Sequence, residues 1–137
     1  MKRNATAVWN GDIKSGDGHL TTGSETLKQT PYSFSSRFEN GAGTNPEELI
    51  AAAHAGCFAM KLSYELQEAG FPATELHADC HIEFGIEGIK QSHIALTAKV
   101  ANISDEKFAE FVKDAEENCP ISVVLNTEIV VEYTLNG

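Results

Sequence analysis

The chain has 137 residues, of which 42% are hydrophobic and 22% are charged, and this composition predicts one globular domain over 1–137. Its formal net charge of −10 argues against nucleic acid and anionic membrane surfaces as partners, because both attract basic patches. No apolar run is long enough for a membrane span or a signal peptide, and three cysteines without such a signal do not suggest a disulfide framework, so we expect a cytoplasmic protein.

The first part of the chain predicts extended structure. Apolar residues over 5–13, a glycine turn and the segment 19–22 together predict a β-hairpin. The stretch 32–38 carries three aromatic residues and is predicted to be extended. A loop with two glycines then follows over 39–44.

A long helix is predicted over 46–69. Asn45 is a good cap, Pro46 suits the first helical position, and Gly70 provides a stop. The middle of this helix, 49–60, contains no Asp, Glu, Lys or Arg, and a helix that is apolar on every side is buried on every side. Because one chain offers few elements to cover it, we expect an obligate homodimer with the two long helices in its core.

The rest of the chain alternates strand and helix patterns. Strands are predicted over 76–84, 92–100 and 127–135, a helix over 105–117, and 121–125 is ambiguous between the two. This order of elements predicts an α+β fold with largely antiparallel sheets.

Cys57 lies in the uncharged middle of the long helix. Taken alone it reads as a small buried hydrophobe, since burial raises a thiol pKa and makes the group inert. It is also too far along the helix for the dipole to help. To be reactive it needs a cation, and Arg37 is the best candidate because a guanidinium keeps its charge when buried. Glu47 could hold that guanidinium, although a surface arginine and a cap-region acid are the plainer interpretation of the pair.

The spacing along the helix limits how this site can form. Glu47 and Cys57 are ten residues apart, which is about 15 Å along a helix axis. One arginine could hardly touch both in the same subunit. We therefore expect a composite site, with Arg37 and Glu47 from one subunit and Cys57 from its partner.

The other cysteines differ in their surroundings. Cys119 precedes Pro120 at a helix end, where it could attack an oxidised Cys57 and form a disulfide, or could simply be packed. Cys80 reads as a bystander in a strand. His77 and His81 suggest a metal site with Cys80 only weakly, because strand alternation puts Cys80 on the opposite face.

His54 lies three residues before Cys57 on the same helix face. That spacing invites a Cys–His nucleophile pair, but a core or interface histidine is the stronger interpretation. The sequence contains no phosphate loop or dinucleotide motif, and no cofactor or metal is expected.

Over essentially the whole chain, the sequence resembles the osmotically inducible protein C (OsmC) branch of the OsmC/Ohr family. The segments that carry the resemblance are WNGDIK at 9–14, RFE at 37–39, GTNPEELIAAAHAGCF at 43–58 and NCPIS at 118–122. The resemblance implies an intertwined homodimer in which antiparallel sheets wrap around long central helices, with two sites at the subunit interface.

The resemblance also implies an activity. Members are thiol-dependent peroxidases that reduce organic hydroperoxides, and hydrogen peroxide less efficiently, in oxidative and osmotic stress defence. At matching positions it implies Cys57 as the peroxidatic thiolate, Cys119 as the resolving thiol, Arg37 as the activating cation and Glu47 as its anchor. The related Ohr branch suggests a dithiol reductant such as a lipoylated protein.

The sequence is compatible with three other functions. A redox-sensing or ligand-binding module could use the same cysteine pair without turnover, and consumption of an organic peroxide with a dithiol present would separate it from a peroxidase. A Cys–His hydrolase or acyltransferase could use Cys57 and His54. A purely structural stress protein would show no phenotype for Cys57→Ser.

Overall fold

A computed structural model describes residues 1–137, which form six strands and four helices. The chain divides into two units, Met1–Leu49 and Ile50–Gly137, and each unit carries a three-stranded sheet. Strands and helices thus mix along the chain, which confirms the predicted α+β class. None of the helices combines the length and the apolar character that crossing a membrane requires.

The first unit contains an antiparallel sheet with the order β1-β2-β3. Its strands are β1 at Ala5–Asn10, β2 at Asp17–Thr22 and β3 at Thr30–Tyr32. Gly18 lies opposite both Trp9 and Tyr32 in the register, and their rings are 5.4 Å apart. A Cβ at Gly18 would lie 2.7 Å from the Tyr32 ring and 2.8 Å from the Trp9 ring, so only glycine lets the two rings approach.

The prediction of an extended stretch over 32–38 is wrong beyond Ser33, because Phe34–Phe38 form a short helix, α1. Ser33 and Ser36 cap it reciprocally: the Ser36 backbone N–H donates to Ser33 Oγ at 3.1 Å, and the Ser33 N–H donates to Ser36 Oγ at 2.8 Å. This capping box uses serine where glutamate or glutamine is usual, so the local sequence carried little helical signal.

Helix α2 runs from Pro46 to Glu68, close to its predicted bounds. Asn45 Oδ1 accepts the backbone N–H of Glu48 at 2.8 Å and so caps the first turn. Gly70, with a φ of 88°, adopts the left-handed conformation that ends the helix.

The second unit places the remaining elements around a mixed sheet with the order β4-β5-β6. They are β4 at Glu75–Gly85, β5 at Gly88–Lys99, α3 at Asp105–Asn118, α4 at Pro120–Val124 and β6 at Glu128–Leu135. β4 and β5 pair antiparallel, whereas β5 and β6 pair parallel. The parallel pair departs from the otherwise antiparallel sheets, and it forms because α3 and α4 carry the chain back before β6 begins.

The hydrophobic core of the second unit lies between α2, β5 and α3. It contains Phe58, Leu62, Leu66, Ile94, Leu96, Ala98, Val100, Phe108, Val112, Ala115 and Cys119. Phe108 packs edge-on against Tyr133 of β6 with ring centroids 5.1 Å apart. Every second residue of β5 from Ser92 onwards faces this core, as its alternating pattern predicts.

Helix α2 is buried on one side only, so the expectation of burial on every side is not met within a single chain. Ala52, Ala53 and Gly56 are exposed, and the side of the helix that carries them continues to Met60 and Tyr64, which are 76% and 61% exposed. A Cβ at Gly56 would meet no atom within 4 Å. We call Ala52, Ala53, Gly56, Met60 and Tyr64 the open face of α2.

Candidate active site

Arg37 and Glu47 form a close ion pair within the first unit. Arg37 lies in the last turn of α1 and Glu47 in the first turn of α2. The guanidinium donates to Glu47 Oε1 twice, from Nε at 2.8 Å and from Nη2 at 2.6 Å. The hydrogen bond to Glu47 raises the pKa of Arg37 further above its ordinary value, although burial opposes it. The structure therefore brings together the cation and the acid that the sequence singled out.

The pair leaves hydrogen-bonding capacity unused on both partners. The Glu47 side chain is 6% exposed and its second oxygen, Oε2, is buried without a partner, whereas the Arg37 side chain is 40% exposed. A buried carboxylate oxygen without a donor is costly. The carboxylate can therefore accept a further donor, and the guanidinium can still bind an anion.

A pocket of about 240 Å³ lies against Arg37 in the first unit. Its wall is mostly aromatic, and Arg37 is the charged group in it. The lining residues are Trp9, Ile13, Tyr32, Ser33, Phe34, Arg37 and Phe38. Such a pocket suits a small apolar molecule with one polar or anionic end.

Cys57 and Cys119 are neighbours in the second unit, close enough for the Cys119 thiol to affect the ionisation of Cys57, and both are free. Cys119 is fully buried and Cys57 is half-buried. Pro120 holds Cys119 in an extended conformation, with φ −63° and ψ 140°, which ends α3 and starts α4. The short turn between these helices thus presents one sulfur to the other.

The surroundings of Cys57 within the second unit favour the neutral thiol. Burial raises the pKa of Cys57, and the neighbouring Cys119 raises it further. A backbone N–H from Ile121 donates to the Cys57 sulfur and acts in the opposite direction. The net effect of the surroundings within this unit is to raise the pKa of Cys57.

Sequence reasoning missed a buried hydrogen-bond chain around His54. His54 is fully buried, with Nδ1 2.6 Å from Ser92 Oγ and Nε2 2.8 Å from Ser122 Oγ. Burial lowers the pKa of His54. A signal was present, because Ser92 occupies the core-facing register of Ile94 and Leu96, where a buried hydroxyl needs a partner.

The structure also bears on two other sites that the sequence raised, a Cys–His pair and a metal site near Cys80. Both ring nitrogens of His54 bind serine hydroxyls, so neither is left to pair with Cys57 and the Cys–His pair is not formed. His77 and His81 are exposed, whereas Cys80 between them is half-buried, as strand alternation predicted. No group of three or more His, Cys, Asp or Glu side chains is arranged to hold a metal ion.

Comparison with known proteins gives consistent matches. Residues 39–134 match the family model described as OsmC-like protein. Peroxiredoxin OsmC of Escherichia coli K12 is 44% identical over 141 aligned positions, which cover 100% of this chain and 99% of that protein. The organic hydroperoxide resistance protein OhrB of Bacillus subtilis is 27% identical, covering 86% of this chain and 88% of that protein.

Solved structures show the same fold. The OsmC-like protein of Mycoplasma pneumoniae superimposes with a TM-score of 0.74 at 16% identity, covering 98% of this chain and 97% of that one. OhrB of Bacillus subtilis gives a TM-score of 0.63 at 24% identity, over 96% of this chain and 98% of that one. The fold, the family match and the full-length identity agree, and the chain belongs to the OsmC-like protein family.

Proposed function

We propose that the chain is a cysteine-based peroxidase that reduces organic hydroperoxides, with Cys57 as the attacking thiolate and Cys119 as the resolving thiol. The proximity of these two free thiols is the observation that carries the proposal. It is supported by 44% identity along the whole chain to a protein named Peroxiredoxin OsmC.

The reaction would proceed in three steps. The Cys57 thiolate attacks the distal oxygen of the hydroperoxide, the O–O bond breaks, and the alkoxide takes a proton and leaves as an alcohol. Cys57 is then a sulfenic acid. Cys119 attacks its sulfur, water leaves, and a disulfide forms. An external dithiol returns both cysteines to thiols by disulfide exchange.

The first step requires a cation beside Cys57. We assign this role to Arg37 of a partner subunit, with Glu47 holding it. Within the second unit the pKa of Cys57 is raised, so its own surroundings do not supply the thiolate. The Arg37–Glu47 pair is already formed, and its guanidinium is still 40% exposed. A guanidinium beside the sulfur would also orient the peroxide.

A homodimer built on the open face of α2 would bring the two half-sites together. This face is apolar, and Gly56 at its centre allows a second helix to approach closely. In a two-fold dimer the same face of each copy packs against its equivalent, so both sites form at once. The buried Glu47 Oε2 would then be available to a donor from the partner.

The aromatic pocket beside Arg37 would select the substrate. Its volume of about 240 Å³ accommodates a small organic group, and its wall offers that group apolar contact. Hydrogen peroxide gains nothing from such a wall. We therefore expect a preference for organic hydroperoxides over hydrogen peroxide.

The proposed reductant is a dithiol such as a lipoylated protein, and the proposed compartment is the cytoplasm. A dithiol suits a disulfide product because it delivers two electrons and closes its own ring. Three free cysteines suit a reducing compartment.

The test is a steady-state assay with cumene hydroperoxide, tert-butyl hydroperoxide and hydrogen peroxide, using dithiothreitol or reduced lipoamide. Turnover is expected to vanish in Cys57→Ser, to weaken strongly in Cys119→Ser, and to persist in the control Cys80→Ser. Stoichiometric oxidation of the wild type without turnover would instead favour the redox-sensing module. Unchanged turnover in Cys57→Ser would refute the proposal.

A further inference from the structure

A continuous chain of hydrogen bonds crosses the core of the second unit and ends on a thiol at each side. His54 is its centre, bonded to Ser92 and Ser122. Beyond the serines, Cys119 Sγ lies 3.0 Å from Ser122 Oγ, and Cys80 Sγ lies 3.4 Å from Ser92 Oγ. The proposed peroxidase reaction of Cys57 and Cys119 gives no role to His54 or to either serine.

The chain is buried along its whole polar part. His54 and Ser92 are fully buried and Ser122 is 6% exposed. Burial lowers the pKa of His54 below its ordinary value of 6.5, so the imidazole is neutral at neutral pH. A neutral imidazole has one N–H group and one bare nitrogen, so it donates to one serine and accepts from the other.

The hydrogen bonds can be ordered, donor to acceptor, so that Cys119 is ready to lose a proton. In that direction the Cys119 S–H donates to Ser122 Oγ, the Ser122 hydroxyl donates to His54 Nε2, and the Nδ1–H group donates to Ser92. The Ser122 backbone N–H also points at the Cys119 sulfur, at 3.4 Å, and would stabilise negative charge there.

We propose that His54 is a positioning residue for the resolving step, and that it acts through Ser122 by accepting the proton that Cys119 loses as it attacks the oxidised Cys57. The inference rests on the proposed function, because it takes Cys119 as the resolving thiol. It adds two residues to the resolving step, His54 and Ser122.

The step balances in atoms and electrons. The sulfur of Cys119 supplies the electron pair of the new S–S bond, and the S–O bond of the Cys57 sulfenic acid breaks, with its electron pair leaving on hydroxide. The thiol proton moves to Ser122 Oγ as that hydroxyl passes its own proton to Nε2. The imidazolium then returns its proton through Ser122 Oγ to the hydroxide, which gives water and neutral His54.

The resolving rate should depend on pH through His54. The titratable groups at the two ends of the hydrogen-bond chain are the thiols of Cys80 on β4 and Cys119 before α4, and burial is the cause of the lowered His54 pKa. The wild-type rate should be flat above that pKa and should fall below it, as Nε2 becomes protonated. Without His54 the proton must go to solvent base, so the rate should keep rising with pH.

The test separates the two half-reactions in a single turnover. Reduced protein is mixed with one equivalent of cumene hydroperoxide and quenched at intervals. Mass spectrometry then measures the sulfenic acid, as its dimedone adduct, and the disulfide. The variants are His54→Gln, which removes the base, Ser122→Ala, which breaks the link, and Ser122→Thr, which restores a hydroxyl. Ser92→Ala is the matched control, because it removes an equally buried partner of the same imidazole.

We expect His54→Gln and Ser122→Ala to form the sulfenic acid at the wild-type rate but to form the disulfide at least tenfold more slowly. Ser122→Thr should recover most of the loss, and Ser92→Ala should slow the disulfide step by less than threefold. A disulfide rate within twofold of wild type in His54→Gln and Ser122→Ala would overturn the inference. Equal losses in Ser92→Ala and Ser122→Ala would also overturn it, since they would show a purely structural role.

A second oxidant separates this inference from the peroxidase proposal. Diamide forms an adduct on Cys57, and Cys119 displaces it to give the same disulfide without any peroxide. If peroxide fails to oxidise the wild type but the variants still slow the diamide reaction, the peroxidase proposal falls and the role of His54 stands. If diamide closes the disulfide equally fast in all variants, the role of His54 falls whatever peroxide does.

Discussion

At the scale of single residues, the geometry of Arg37 differs from that of a simple surface charge. Both of its hydrogen bonds go to one oxygen of a buried carboxylate, and this fixes the plane of the guanidinium. A lysine would keep the charge but lose the planar fork. The orientation of the cation is therefore as much a part of the site as its charge.

Arg37→Lys is predicted to lower kcat/KM for cumene hydroperoxide by at least about tenfold, because a single ammonium cannot hold Glu47 and the sulfur together. The matched control is Lys14→Met, which removes a cation 5.6 Å from the Phe34 ring in the same unit. Steady-state assays measure both. Lys14→Met should leave kcat/KM near the wild-type value, and a wild-type kcat/KM in Arg37→Lys would show that the positive charge alone suffices.

His54 also links stability to pH. Burial lowers the pKa of His54 in the folded state, so the unfolded chain binds a proton first as the pH falls. The stability that His54 contributes is therefore fully present above pH 6.5 and is lost as the pH falls through the folded-state pKa. Between pH 7.5 and pH 5.5 the free energy of unfolding should fall further for the wild type than for His54→Gln. The extra fall should be up to about 1.4 kcal/mol for each pH unit. Urea unfolding at both pH values measures the difference, and parallel losses would contradict the prediction.

The residues of the site were predictable to different degrees. Arg37, Glu47, Cys57 and Cys119 carry chemistry that a sequence displays, and the resemblance gave each of them a role. The partners of His54 were not predictable, because Ser92 and Ser122 lie 38 and 68 residues away and only the fold brings them together.

At the scale of elements, local signals decided which predictions held. Helix α2 was predicted within a residue or two because Asn45 caps its start and Gly70 its end. Helix α1 was missed because its five residues carry two aromatic side chains and an all-serine cap. The parallel pairing of β5 with β6 is non-local, so no local pattern encoded it.

The serine caps allow a test of how α1 supports the site. Ser33→Ala and Ser104→Ala each remove a hydroxyl that accepts a backbone N–H, at the starts of α1 and α3. Each should cost about 1 kcal/mol of stability, measured by urea unfolding. Only Ser33→Ala should also lower peroxidase activity, because α1 carries Arg37. A larger loss of activity in Ser104→Ala would contradict this account.

At the scale of the whole molecule, the exposed part of α2 is the feature that one chain leaves unexplained. A largely apolar helix face with Met60 76% exposed and Tyr64 61% exposed is the kind of surface that marks an interaction site. A second copy of the chain would cover this face. The single OsmC-like domain over 1–137 and the intertwined dimer both stay predictions.

Met60→Glu is predicted to convert the dimer to a monomer and to abolish peroxide turnover, because a charge would be buried within the interface. Ile86→Glu is the control, since Ile86 is 97% exposed in the turn between β4 and β5. Sedimentation velocity gives the oligomeric state. A Met60→Glu dimer with full activity would show that the open face of α2 is not the interface.

The central claim is that Cys57 of one subunit is ionised by Arg37 of the other, and mixed dimers test it most directly. Arg37→Met and Cys57→Ser are each expected to be inactive as homodimers. If the two variants are unfolded together and refolded as an equimolar mixture, each mixed dimer contains one intact site, so about a quarter of wild-type peroxidase activity should return. No recovery, with mixed dimers shown to be present by mass spectrometry, would contradict the claim.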